Sequence, residues 1–280
     1  MRLGLHIATA GNLLTAPKRA HEMGAETIQL FASNPRGWRP TVYTSEQGQA
    51  FQAACASEDI NPVWFHMIYL VSYGTPDEDQ REKSITALSQ GLHNADLLGV
   101  KGVVTHMGSH KGLGLKQALD RLADSISRSL GESEKSLVCF ENSAGGGGNI
   151  GNSLEELASI LDVLKGHPRL AICIDTAHAL TSGYEIRTPD GLDKFLEDFE
   201  RLIGLDRLVV MHLNDSKADL GTHVDRHENI GHGYIKDEAM ARIINHPRLH
   251  DVSGVLEVPG MDGKSGPDEA NMRHILSLRS

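Results

Sequence analysis

Eight short apolar runs, rich in β-branched residues, recur along this chain, and their spacing limits the folds open to it more than any other feature. They occupy residues 3–8, 27–31, 62–67, 102–107, 136–142, 170–176, 208–215 and 254–259. Successive starts lie 24 to 46 residues apart, the room needed for a strand, a helix and two loops. Near-continuous hydrophobicity, as in Leu208-Val209-Val210-Met211, suits parallel strands covered on both faces.

Helical periodicity fills the intervals. Ile85, Leu88, Leu92 and Ala95 share one face, with Gly99 as a stop; Leu115, Leu119, Leu122, Ile126 and Leu130 share another, ending at Gly131. Ser153-Leu154-Glu155-Glu156 reads as a capping box opening a stripe of Leu157, Ile160, Leu161 and Leu164. Strand and helix alternating eight times, with no linker-like composition between them, predict an α/β fold, one (β/α)8 TIM barrel over residues 1–280. The glycines at 145–148 then belong to a βα loop after the fifth strand.

Chemistry in such a barrel gathers at the carboxyl ends of the strands. There the sequence places His66 after strand three, His106 after strand four and Glu141 after strand five. Strand six supplies Asp175 with His178 just beyond. Strand seven supplies His212, and its long following loop carries Asp225 and His227; Glu257 ends strand eight. One histidine near a strand end is more often a hydrogen-bonded core residue than a ligand. Nine imidazoles and carboxylates from six consecutive strand ends point instead to metal. Imidazole and carboxylate suit zinc, and at about three or four protein ligands per ion, nine suit two or three ions. Carboxylates gathered without cations are expected to raise one another's pKa values.

Composition narrows the setting. No stretch approaches the roughly 18 apolar residues of a membrane span, and the first segment lacks a signal peptide's apolar run; the expectation is a cytoplasmic protein with no membrane partner. Cys55, Cys139 and Cys173 make no ligand spacing, and the last two sit inside apolar runs, so buried free thiols are expected. A net charge of −10 speaks against nucleic acid at first sight, but cations bound at one mouth would reverse the field where it matters.

At these residues the chain resembles the endonuclease IV family over nearly its whole length. The segments that carry the likeness are Gly4-Leu5-His6-Ile7, Cys173-Ile174-Asp175-Thr176-Ala177-His178, Gly183-Tyr184, His212-Leu213-Asn214-Asp215-Ser216-Lys217, Asp225-Arg226-His227-Glu228-Asn229-Ile230-Gly231 and Leu256-Glu257. The resemblance implies three zinc ions per chain. His66 and His106 would hold the first, Glu141 would bridge to the second, Asp175, His212 and Glu257 would complete the second, and His178, Asp225 and His227 would hold the third. It also implies Glu141 as a catalytic group, and Arg36, Tyr69 and Leu70 as residues that enter duplex DNA at the lesion. Met67, Met107 and Gly37 depart from the residues common in the family. His223 is expected to be loop and His6 to support a ligand rather than act as one. The implied activity is zinc-dependent hydrolysis of the phosphodiester 5′ to abasic sites. It leaves a 3′-hydroxyl and a 5′-deoxyribose phosphate, with removal of 3′-phosphates and related blocking groups as a companion, by a monomer acting on double-stranded DNA.

Two other readings stay open on the sequence. A sugar isomerase or epimerase on the same barrel would use a compact set such as Glu141, Asp175, His212 and Glu257, leaving the other five ligands without a task. A non-catalytic protein that binds damaged DNA would keep the zinc as structure.

Overall fold

The computed structural model describes residues 1–9, 12–262 and 266–280. Among them, eight parallel strands close a barrel: β1 (Arg2–His6), β2 (Thr27–Phe31), β3 (Val63–His66), β4 (Gly102–Thr105), β5 (Leu137–Glu141), β6 (Leu170–Asp175), β7 (Leu208–His212) and, after two short strands outside the barrel, β10 (Ser253–Leu256). Each strand pairs with its neighbours in chain order, and β10 closes on β1 through Arg2 opposite Ser253 and Leu5 opposite Leu256. All eight expected strands are present, each shorter than its apolar run at the carboxyl end or no longer than it. The trimmed residues belong to the mouth. In the seventh run, Asp215 leaves the barrel and forms β8 (Asp215–Ser216), which pairs antiparallel with β9 (His227–Glu228).

The helices pack outside the barrel, beginning with α1 (Ala16–Glu22) and α2 (Ser45–Ser57). Helix α3 (Glu78–Leu98) ends where Gly99 takes a left-handed φ of 70°, a conformation glycine adopts without a Cβ clash. Helix α4 (Leu115–Leu130) buries Leu119, Leu122, Ile126 and Leu130. Helix α5 (Leu154–Val163) is capped by the Ser153 side chain, which accepts from the Glu156 N–H. The expected reciprocal bond is not made. The Glu156 carboxylate accepts instead from the N–H groups of Gly151 and Asn152, because the incoming loop offers those donors first. No helix among the described residues is long and apolar enough to cross a membrane.

Inside the barrel lies a separate apolar cluster: Trp64, Val104, Cys139, Ala171, Cys173, Val210 and Val255. Strand side chains alternate faces, so the residue two positions on from an inward one also points inward. Two past Trp64 is His66; two past Val104 is His106; two past Cys139, Cys173, Val210 and Val255 are Glu141, Asp175, His212 and Glu257. The pleat that fills the barrel therefore also aims six polar residues at one end of its axis. All three cysteines are free and buried, as expected.

Candidate metal centre

The six polar side chains form the floor of a mouth, and loops supply the rest. Helix α6 (Thr176–Thr181) starts directly from β6, with Asp175 as its N-cap accepting from the His178 N–H at 2.9 Å. One turn thus carries His178 back over the barrel. The loop after β7, folded on itself by the β8–β9 pair, brings Asp225 and His227 above Asp175. Asp215 anchors that loop from a buried position by accepting from the N–H groups of Ser216, Gly233 and Ile235. The mouth opens into a cavity of about 1190 Å³ lined by His66, Tyr69, His106, Glu141, His178 and Asp225, among others.

All nine expected residues meet here. Among the described residues, three groups bring ligand atoms within 4.8 Å of one another: His66, His106 and Glu141; Glu141, Asp175, His212 and Glu257; and Asp175, His178 and His227. Asp225 joins the third, its Oδ1 lying 3.2 Å from His178 Nε2 and 3.4 Å from His227 Nε2. Asp175 also belongs to this third group, beyond the role expected of it, with Oδ2 3.5 Å from His227 Nε2.

The chemistry of these groups fits metal. His178 Nε2 and His227 Nε2 are buried and make no hydrogen bond, although the Asp225 carboxylate is close to both. The three side chains converge on a common point rather than on each other. The far nitrogens of three of the histidines are held by backbone: His66 Nδ1 donates to the Met67 carbonyl at 2.7 Å, His178 Nδ1 to that of Asn142 at 3.0 Å, and His227 Nδ1 to that of Glu257 at 3.4 Å. Each bond leaves the Nε2 lone pair free for the mouth, as zinc ligation requires.

Electrostatics correct one expectation. Glu141, Glu257 and Asp225 are pushed down, not up. Burial works to raise Glu141, but the neighbouring His106 and His212 imidazoles override it and hold it well below the usual range. Glu257 is likewise lowered, by His212 and His6 against burial. Burial also opposes Asp225, which His178 brings down to about 2. The histidines show the converse: burial acts to lower His178, yet Asp175, Asp225 and Glu141 lift it to about 10. The histidines that the carboxylates lift, His66, His178 and His212, supply the positive charge that the carboxylates need, so protons stand where metal charge would stand.

Supporting residues were only partly visible beforehand. Asn142 Oδ1 accepts from the Asp175 N–H at 2.6 Å, and Asn214 Nδ2 donates to Asp175 Oδ2 at 2.6 Å while its Oδ1 accepts from the Glu257 N–H. The sequence signal for Asn142 was its place beside Glu141, and that for Asn214 its place in the segment that opens with His212. His6 Nδ1 lies 3.1 Å from Glu257 Oε1, in the supporting place expected for it. His223 is exposed in its loop, its Nδ1 donating to the Ala144 carbonyl at 3.0 Å, outside all three groups. That bond leaves no room for a side chain at Gly145, whose Cβ would lie 2.6 Å from the His223 ring.

The expected DNA-contacting residues stand on the rim. Tyr69 is 66% exposed, with its ring edge-on to Phe31 at 5.4 Å, and its N–H donates to the Pro35 carbonyl at 3.3 Å. Leu70 is partly buried against the core, and Arg36 is exposed in the adjoining loop. The loops after β2 and β3 are thus tied together beside the mouth.

A family model described as a xylose isomerase-like TIM barrel matches residues 17–279, and that is the class the barrel and its mouth define. Within it the similarities are narrower. The chain is 37% identical over 265 residues to the probable endonuclease 4 of Halothermothrix orenii, covering 94% of this chain and 95% of the relative. The crystal structure of endonuclease IV from Thermus thermophilus is similar with a TM-score of 0.87 and 33% identity, covering 99% of this chain and 98% of that one. The chain belongs to the endonuclease IV family. A D-tagatose 3-epimerase-like protein has a TM-score of 0.71 at 17% identity over 99% of this chain and 96% of that one, a likeness of fold alone.

Proposed function

We propose that this chain is a zinc-dependent apurinic/apyrimidinic endonuclease, hydrolysing the phosphodiester 5′ to abasic sites in duplex DNA. In this reading it holds three Zn2+ ions and works as one barrel domain and a monomer in the cytoplasm. It leaves a 3′-hydroxyl and a 5′-deoxyribose phosphate, and clears blocked 3′ ends by the same hydrolysis. The observation that carries the reading is the convergence of nine imidazoles and carboxylates in three adjoining groups at one mouth, in a family whose relatives bear the name endonuclease.

Zinc held by such groups supplies an activated water near neutral pH and neutralises charge on the attacking and leaving oxygens of a phosphodiester. The chain's own residues do the rest. Glu141 turns Oε2 toward His66 and His106 and Oε1 toward His212, so one carboxylate fixes two groups relative to each other. His178, Asp225 and His227 stand on the loop side, where a zinc they held would stabilise the departing 3′-oxygen. Tyr69, Leu70 and Arg36 give the rim an aromatic, an aliphatic and a cationic group, the means by which a nucleotide is unstacked and replaced. Selectivity follows because a sugar without a base costs least to flip.

A sugar isomerase would need only Glu141, Asp175, His212 and Glu257, which do form one of the three groups; the other two groups argue against that reading. The test is a nicking assay on a duplex carrying one abasic-site analogue, with the product ends identified. Incision 5′ to the analogue, lost on chelation and restored by zinc, is expected. Well-folded, zinc-loaded protein that leaves the duplex intact would refute the proposal.

A further inference from the structure

Gln29 sits on β2 with no solvent exposure, facing into the barrel among the residues of the mouth. A buried amide must find its partners inside the protein. Gln29 Nε2 lies 2.6 Å from Glu257 Oε1 and 3.0 Å from His6 Nδ1; Gln29 Oε1 lies 3.0 Å from His212 Nε2. We propose that Gln29 fixes the tautomer of His212, so that His212 presents Nδ1 to the group it forms with Glu141, Asp175 and Glu257. The proposal rests on the reading that this mouth holds zinc.

An ionised carboxylate only accepts, so the amide nitrogen must be the atom facing Glu257. His6 Nδ1, 3.1 Å from the same Glu257 oxygen, must donate to it as well. The amide oxygen consequently faces His212, and because it too only accepts, His212 Nε2 must carry a proton. In a neutral imidazole the lone pair is then on Nδ1, which lies 3.0 Å from Glu141 Oε1 and 3.2 Å from Glu257 Oε2.

Without Gln29 the preference would be lost. Two carboxylates face Nδ1, so with no acceptor at Nε2 nothing would favour the tautomer that keeps Nδ1 open to the metal. His66, His178 and His227 hold their far nitrogens against backbone carbonyls, which no substitution removes. His212 instead depends on a side chain from the opposite part of the barrel. Gln29 is thus a positioning residue acting through His212.

The experiment combines long-range proton–nitrogen spectra of zinc-loaded, 15N-labelled protein with chelator competition on wild type and Gln29→Met, a substitution of similar length without polar atoms. The expected wild-type spectrum shows His212 protonated at Nε2 and metal-bound at Nδ1. In Gln29→Met, affinity for one zinc should fall by about 10- to 100-fold, the usual effect of losing a ligand's supporting partner, while the zinc site of His178, Asp225 and His227, which Gln29 does not touch, keeps its affinity. A wild-type His212 bound through Nε2 overturns the proposal even if Gln29→Met fails to fold, as does a folded Gln29→Met that holds every zinc as tightly as wild type. Wild-type protein that takes up no zinc overturns the functional reading and this proposal together.

Discussion

Glu141 is buried, yet each of its oxygens faces a pair of imidazoles: Oε2 meets His66 and His106, and Oε1 meets His212 and His178. That double engagement needs a full carboxylate. Glu141→Gln keeps the shape and removes the charge, so incision should fall by more than about 100-fold, beyond the loss caused by disturbing a mere supporting residue. Zinc content should fall with it while the circular dichroism stays native; full activity would remove Glu141 from the proposed bridge. Tyr69 makes the opposite kind of prediction. It is exposed and touches the mouth only through its ring, so Tyr69→Ala should weaken binding to abasic duplex by about 1–3 kcal/mol, the range for a lost stacking contact. Zinc content should not change. Equal affinity in a gel-shift titration would place the DNA elsewhere on the rim.

Among the elements, β5 illustrates how far a strand depends on its approach. The turn before it is gathered by Asp96 on α3, whose carboxylate accepts from the N–H groups of Glu134 and Ser136 and from the hydroxyls of Ser133 and Ser136. Burial opposes ionisation of Asp96, but these donors bring it down to about 2. A depressed carboxyl contributes stability that is fully present above its ordinary value of 3.8 and is lost as pH falls toward about 2. Wild type should therefore lose stability in that window more steeply than Asp96→Asn. At neutral pH, Asp96→Ala should cost about 1–3 kcal/mol in denaturant unfolding, the usual worth of hydrogen bonds to a charged group. The strands themselves were legible because the pleat repeats every two residues: an inward apolar residue announces that the polar residue two places on points the same way, as with Cys139 and Glu141. The Ser153–Glu156 box was half legible, since the sequence reports the residue types but not that Gly151 and Asn152 would claim the glutamate first. Gln29 was not legible at all. A lone polar residue in the run of residues 27–31 carries no signal until β7 and β10 are seen across the barrel from it. The lowering of Glu141, Glu257 and Asp225 was not legible either, because counting acids from strand ends leaves out the imidazoles set between them.

For the molecule as a whole, proton and metal compete for the same mouth. In metal-free protein the elevated His178 contributes stability that is fully present below its ordinary value of 6.5 and is lost as pH rises through about 10. Its melting temperature should decline across that interval, whereas zinc-loaded protein should hold steady; parallel curves would mean that zinc does not replace those protons. Free zinc at a thousand times its dissociation constant should add about 4 kcal/mol per site to unfolding, readable as a rise in melting temperature that chelator reverses.

The proposed ligands differ in what carries them. Six project from the strand ends themselves, while Asp225 and His227 ride on the long loop closed by β8 and β9, and the Asp225 side chain is 59% exposed. Barrel strands open only with the whole fold, but a loop can open alone. When the cell runs short of zinc, the ion under that loop should be the first surrendered. On the proposed reading, the protein would then persist as an intact barrel, short of a cation that cutting requires.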